Sequence, residues 1–219
     1  MRNIRNIFLL NRYFFLGFLF YLLASVSFLL ITSKADSFLY LTSYHNHLLD
    51  SFFIGYTNLG DGIFTIIIVV SFLIARRFEF AWQLLAAYIV SGLLAQLLKH
   101  LVFSPRPKEF FAAGHIHLIN GVTLTGTSSF PSGHTASIFA LATLLSLFSK
   151  NKKIGCLYLL GAILVGFSRI YLSQHFPVDV FTGSVIGVFV AVWVYSFFNN
   201  RLKGWPVRRL KERKAEAAS

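Results

Sequence analysis

Three short stretches of the chain set cations, histidines and one carboxylate at spacings that suit phosphate. They run from Lys99 to Pro107 (KHLVFSPRP), from Pro131 to His134 (PSGH) and from Ser168 to Asp179 (SRIYLSQHFPVD). A phosphate monoester carries nearly two negative charges, and phosphoryl transfer spreads charge over three equatorial oxygens. A site for it needs fixed donors and cations. Lys99, Arg106 and Arg169 supply three positive charges, two of them on planar guanidinium forks that match phosphate oxygens. Ser132 and Gly133 add a hydroxyl and backbone N–H groups at the expected start of a helix, where an anion is favoured. Pro107 and Pro131 stiffen the segments entering and leaving the site.

The two histidines in these stretches suit different tasks. His175 precedes Asp179 by four residues with Pro177 between them, so a carboxylate at the start of a helix can orient one ring nitrogen. The other nitrogen is then free to attack phosphorus. His134, at the opening of a helix, is placed to protonate the leaving oxygen and later to activate water.

The elements that must position these residues are apolar helices. The chain of 219 residues is 56% hydrophobic and 13% charged, whereas soluble domains carry about a quarter charged residues. A spanning helix needs about 20 mainly apolar residues. Six candidates are predicted: Tyr13–Thr32, Phe52–Ala75, Phe80–Leu98, Thr135–Phe148, Ile154–Leu172 and Val180–Phe198. Gly60, Asp61 and Gly62 interrupt the second, and the short fourth is expected to begin inside the motif at Ser132. The first run is too long for a signal-peptide core and lacks a small-residue cleavage pattern, so it reads as a retained helix. The fold class expected is therefore an all-α integral membrane bundle of six transmembrane helices.

Charge placement orients that bundle. With the N-terminus cytoplasmic, the inner side holds Arg2, Arg5, Arg12, Arg76, Arg77, Lys150, Lys152, Lys153 and the basic tail. The outer side keeps only Lys34, Lys99, Arg106, Lys108 and Arg169. This positive-inside asymmetry predicts both termini inside and all three motifs on the outer face. The formal net charge of +12 thus reads as a topology signal rather than a nucleic-acid footprint. The expected organisation is a transmembrane domain over residues 1–198 and a basic cytoplasmic tail over 199–219, the tail lying near anionic headgroups. Small residues four apart (Ala136 and Ala140, Ala162 and Gly166, Gly183 and Gly187) are expected to pack the fourth, fifth and sixth spans closely.

K-x6-R-P, P-S-G-H and S-R-x5-H-x3-D together resemble the signature of the type 2 phosphatidic acid phosphatase and haloperoxidase superfamily. The resemblance covers about residues 52–198, and all three blocks are complete. It implies a phosphohistidine on His175, with Asp179 as its orienter and His134 as acid and base. Lys99, Arg106, Ser132, Gly133 and Arg169 would bind the phosphate, and no metal or other cofactor is required. In a membrane setting the implied activity is hydrolysis of a lipid phosphate or diphosphate: phosphatidic acid, phosphatidylglycerol phosphate, a polyprenyl diphosphate or the phosphate of lipid A. The resemblance further implies a bacterial inner membrane with a periplasm-facing site, and as partners a phosphorylated lipid and the bilayer.

Other readings compete. A lipid phosphotransferase would share the first half-reaction and replace water by another acceptor. A soluble haloperoxidase shares the anion pocket but not six spans. A non-catalytic lipid transporter would spread its cations along a path through the bilayer. Residue by residue, the cations could be snorkelling helix-end groups, His134 a helix cap, and His175 with Asp179 a structural pair. Cys156 is the only cysteine, which excludes an intrachain disulfide and a cysteine zinc cluster. His45, His47, His100, His115 and His117 read as interfacial polar residues; a metal site among them would need a convergence that the sequence does not show. Asp61 reads as an outer-interface residue, with a role at the catalytic mouth as the alternative. Phe110 and Phe111 read as interfacial anchors rather than an acyl-chain entrance.

Overall fold

The computed structural model describes residues 4–111, 116–119 and 128–201, and these are helical, with no strand among them. In chain order the helices are α1 (Ile4–Leu10), α2 (Arg12–Ile31), α3 (Lys34–Leu41), α4 (His47–Tyr56), α5 (Gly62–Ile74), α6 (Phe78–Leu101), α7 (Pro107–Phe110), α8 (Gly133–Phe148), α9 (Gly155–Tyr171) and α10 (Pro177–Arg201). Two 3-10 turns, Thr57–Gly60 and Lys152–Ile154, join α4 to α5 and lead into α9. The segment after residue 201, including Trp205, lies outside the described residues, as do Arg2 and His115.

The bundle is built around α8. Its residues from Thr135 to Leu144 are all buried, packed mainly by α10, α9 and α6. Small residues permit that enclosure. A side chain at Gly183 would come within 2.6 Å of the Ser132 carbonyl oxygen, and Gly187 lies equally tightly against Ala136 and Ala140. The expected small-residue packing is thus met between α8 and α10, where backbones touch directly. Ala162 is likewise buried, and a side chain at Gly166 would meet Val180 at 2.9 Å.

The outer faces reverse the soluble pattern. Leu16, Phe20, Leu23, Leu30 and Ile31 on α2 are exposed, as are Ile63 and Ile74 on α5, Leu93 on α6, and Phe189 and Trp193 on α10. Apolar surface on this scale demands an apolar solvent, which makes this a membrane protein. By length and composition, α2, α6, α9 with its leading turn, and α10 can each cross a bilayer, and α4 with α5 forms a fifth candidate bent by 53°. The expected fourth span differs. α8 has 16 residues, about 24 Å of helix against a hydrocarbon core of about 30 Å. It is enclosed along its length by α6, α9 and α10.

Element boundaries shift from those expected. The second predicted span begins earlier, at His47, and its break falls where Gly60, Asp61 and Gly62 placed it. Asp61 caps α5, its Oδ1 accepting from the Ile63 N–H at 3.3 Å. Gly60 is required by close approach: a side chain there would meet Val165 Cγ1 at 2.7 Å and His134 Cβ at 3.2 Å. α6 runs three residues beyond Leu98, so Lys99 stands inside its last turn. α10 starts at Pro177, the favoured first position of a helix, which puts Asp179 in the first turn.

Candidate active site

The site assembles where α6, α8 and α10 reach the same end of the bundle as the turn joining α9 to α10. Ser132 is the N-cap of α8, accepting from the Thr135 N–H at 3.4 Å and the Thr135 hydroxyl at 2.8 Å. Its own N–H donates to the Asp179 carbonyl at 3.0 Å. The PSGH turn is therefore fixed to the start of α10, and a side chain at Gly133 would meet nothing within 4 Å. That open space at a helix N-terminus, bounded by backbone N–H groups, suits an anion.

His175 leaves the end of α9 on a tight turn. The backbone N–H groups of Gln174 and His175 both donate to the Arg169 carbonyl, at 3.0 and 3.1 Å. Ser173 adopts a left-handed conformation, with φ 54°, an uncommon state for a residue other than glycine. The His175 ring is buried at 2% exposure and Asp179 at 0%. His175 Nδ1 faces Asp179 Oδ2 at 3.6 Å and the Ser129 hydroxyl oxygen at 3.3 Å. Ser129 in turn donates a short hydrogen bond to Asp179 Oδ2, which also accepts from the Phe176 N–H at 2.8 Å. A hydroxyl that gives its proton to a carboxylate has a lone pair left for an Nδ1–H. The arrangement thus favours the tautomer with Nδ1 protonated and Nε2 bearing the lone pair. Burial holds the His175 imidazolium down, so the ring is neutral well below the usual histidine range; Asp179 pulls the other way, while Arg169 and Arg106 add to the burial.

The cations are held by neutral oxygens. Lys99 Nζ donates to the Ser128 carbonyl at 3.0 Å. Arg106 Nη1 donates to the Gln174 carbonyl at 2.9 Å, and Arg169 Nη1 to the Thr57 hydroxyl at 2.7 Å. Arg106 and Arg169 are 4% and 7% exposed. Lys99 and Arg169 make no ion pair among the described residues, and the buried Arg169 Nε has no hydrogen-bond partner there. Buried charge without a counter-ion is expensive, so the pocket is built to be completed by an anion. His134 lies in the same field, acted on by Arg169, Asp61, His175 and Lys99.

All the residues singled out from sequence are therefore brought together: Lys99, Arg106, Ser132, Gly133, His134, Arg169, His175 and Asp179. Several participants carry no sequence signal of their own. Ser129 and Thr57 belong to no motif, and Gln174, whose carbonyl accepts from Arg106, is an unspecified position of the third. Lys34, counted only as an outer-side cation, lies 4.2 Å over the Phe176 ring and donates to Ser104 at 3.0 Å. Asp61, through its neighbour Gly60, stands beside His134 and acts electrostatically on Arg169. Phe110 and Phe111 pack on Phe176, the residue after His175, with ring centroids 5.4 and 6.2 Å away.

Helical fold, apolar flanks and an anion-ready pocket beside an oriented histidine put the chain in the class of membrane phosphatases. A profile of the PAP2 superfamily matches residues 80–203, and the chain belongs to that superfamily. It is 31% identical over 157 residues to undecaprenyl-diphosphatase BcrC of Bacillus subtilis, covering 71% of this chain and 78% of that protein. The crystal structure of Aquifex aeolicus LpxE superposes with a TM-score of 0.67 at 31% identity, covering 74% of this chain and 94% of that one. The fold also matches a transmembrane PAP2 type phosphatidylglycerolphosphate phosphatase from Bacillus subtilis, with a TM-score of 0.63 at 24% identity over 92% of this chain and 98% of that one.

Proposed function

We propose that the chain hydrolyses a phosphate or diphosphate ester of a membrane lipid through a phosphohistidine on His175, without a metal. The observation that carries this reading is the contact of His175 Nδ1 with Ser129 and Asp179, beside Lys99 and Arg169, which hydrogen-bond to neutral oxygens and make no ion pair among the described residues. Nε2 attacks phosphorus as the bond to the lipid oxygen breaks, and His134 protonates that oxygen. Water then attacks the phosphohistidine, giving its proton to His134, and phosphate leaves. Lys99, Arg106, Arg169 and the N-terminus of α8 stabilise the charge on the equatorial oxygens throughout.

The bilayer placement follows the same logic. In this reading α8 is a sixth crossing, enclosed by protein. Both termini are cytoplasmic by the positive-inside asymmetry, and the site faces the periplasm of a bacterial inner membrane. Among the lipid classes, a polyprenyl diphosphate is the first to test, because the relative spanning 78% of its own length with this chain is named an undecaprenyl-diphosphatase. The test is phosphate release by the purified protein from undecaprenyl diphosphate, phosphatidic acid, phosphatidylglycerol phosphate and lipid A, with His175→Ala as blank. Release above the blank from at least one lipid is expected. No release from any of them would overturn the reading.

A further inference from the structure

Two histidines that read from sequence as unrelated interfacial residues meet over one carboxylate. His45 Nδ1 lies 3.6 Å from Asp50 Oδ1, and His117 Nε2 lies 3.5 Å from Asp50 Oδ2. The two imidazole rings are 4.3 Å apart between centroids. One ligand atom from each of His45, Asp50 and His117 can be chosen so that all lie within 4.8 Å of one another. The three come from different places: the connection before α4, the first turn of α4, and the segment 116–119.

His45 distinguishes this cluster from an ordinary polar patch. Its side chain is 10% exposed, yet both ring nitrogens are buried and neither makes a hydrogen bond among the described residues. Buried polar atoms are normally satisfied, and an imidazole always carries at least one N–H and usually one lone pair to place. Asp50, at 3.6 Å, is beyond hydrogen-bond reach. That separation instead approaches the spacing of about 3.3 Å between ligand atoms when bonds of about 2.0–2.1 Å meet at tetrahedral angles. The carboxylate is itself oriented from behind: the Tyr171 hydroxyl donates to Asp50 Oδ1 at 2.6 Å. Such an outer hydrogen bond is what holds a ligating carboxylate in place.

We propose that His45, Asp50 and His117 bind one Zn2+ ion, or an ion of the same borderline-soft class, at a site separate from the phosphate pocket. Two imidazoles and one carboxylate favour such an ion, whereas Mg2+ and Ca2+ prefer all-oxygen shells. Water fills the fourth position. His117, 47% exposed on its side chain, gives the ion its way in. The site joins the catalytic turn without entering the chemistry: Ser173, two residues before His175, donates its hydroxyl to the His117 carbonyl at 3.1 Å. A bound ion therefore ties segment 116–119 and the start of α4 to the turn that carries His175.

The test uses the full-length protein in detergent, with any polyhistidine tag removed and metals stripped by a chelator. Zn2+ alone is then titrated against a chromophoric competitor. Wild type and His175→Ala are each expected to bind one Zn2+ per chain. Asp50→Asn, which keeps the shape and an acceptor for Tyr171, is expected to bind at least ~10-fold more weakly. A Zn2+-dependent rise in thermal midpoint is expected in wild type and absent from Asp50→Asn, and excess Mg2+ should not displace the Zn2+. Absence of stoichiometric Zn2+ from wild type would overturn the proposal, as would unchanged affinity in Asp50→Asn. Loss of the ion in His175→Ala would place it in the phosphate pocket and equally overturn it.

Discussion

Ser129 donates its hydroxyl proton to Oδ2 of Asp179, the same carboxylate oxygen that faces His175 Nδ1 at 3.6 Å. With the Ser129 oxygen 3.3 Å from that nitrogen, the carboxylate acts on the histidine partly through a hydroxyl. Ser129→Ala removes this link and leaves the phosphate donors in place. A hydrogen bond to a charged group contributes about 1.5–3 kcal/mol, so kcat should fall by about 10–100-fold while KM changes little. Steady-state kinetics on the purified variant check this. A loss confined to KM would assign Ser129 to substrate binding instead.

His134 stands beside Gly60 in the first turn of α8, and the proposed mechanism makes it the acid that protonates the leaving oxygen. His134→Ala should lose most activity towards alkyl phosphates and much less towards aryl phosphates, whose leaving groups need no proton. The ratio of the two losses is the measurement. Equal losses across leaving groups would contradict the acid role.

Arg169 spends Nη1 on the Thr57 hydroxyl and keeps a buried Nε without a partner among the described residues. Lysine cannot hold Thr57 and present a planar fork at once. Arg169→Lys should therefore cost roughly 10²–10³ in kcat/KM, the scale of losing one donor to a developing anionic charge. Near-wild-type kinetics would remove Arg169 from the phosphate clamp.

What the sequence made legible, and what it hid, follows from how local each feature is. The helical class, the break at Gly60–Asp61–Gly62 and the start of α8 at the PSGH motif depend on nearby residues, and each is found. The small-residue pairs also worked, because a glycine face has one main structural use inside a packed bundle. Long-range partners were invisible: Thr57 meets Arg169 from 112 residues away and Tyr171 meets Asp50 from 121. Ser129 sits in a run of serines and threonines where no spacing marks it out. His45 and His117 lacked a visible link because Asp50, their common neighbour, looks like a first-turn helix acid. The fourth expected span is a helix of only 16 residues, enclosed by its neighbours. A helix enclosed by protein need not match the bilayer by itself.

Acid should affect turnover late. His175 must be neutral to attack, and burial lowers its affinity for a proton. A histidine so shifted stays neutral as pH falls through about 6.5, the ordinary value, and is protonated only further down. The acid limb of kcat/KM due to this group, after correction for ionisation of the substrate, should therefore lie below about pH 6.5. Its contribution to stability has the same sign, since the unfolded chain takes up the proton first: present above the unfolded value and lost as pH falls towards the folded one. A His175 imidazole that titrates at or above pH 6.5 in the folded protein, read by NMR, would contradict the buried, neutral nucleophile.

The central claim is a covalent bond between phosphorus and His175. It is tested most directly by mixing purified protein with a hydrolysed lipid carrying labelled phosphate and quenching within one turnover under alkaline conditions that preserve phosphohistidine. The phosphorylated peptide is then mapped by mass spectrometry. The predicted result is label on His175 in wild type, with neither label nor turnover in folded His175→Ala. Near-wild-type hydrolysis by His175→Ala, or label on another residue, would contradict it.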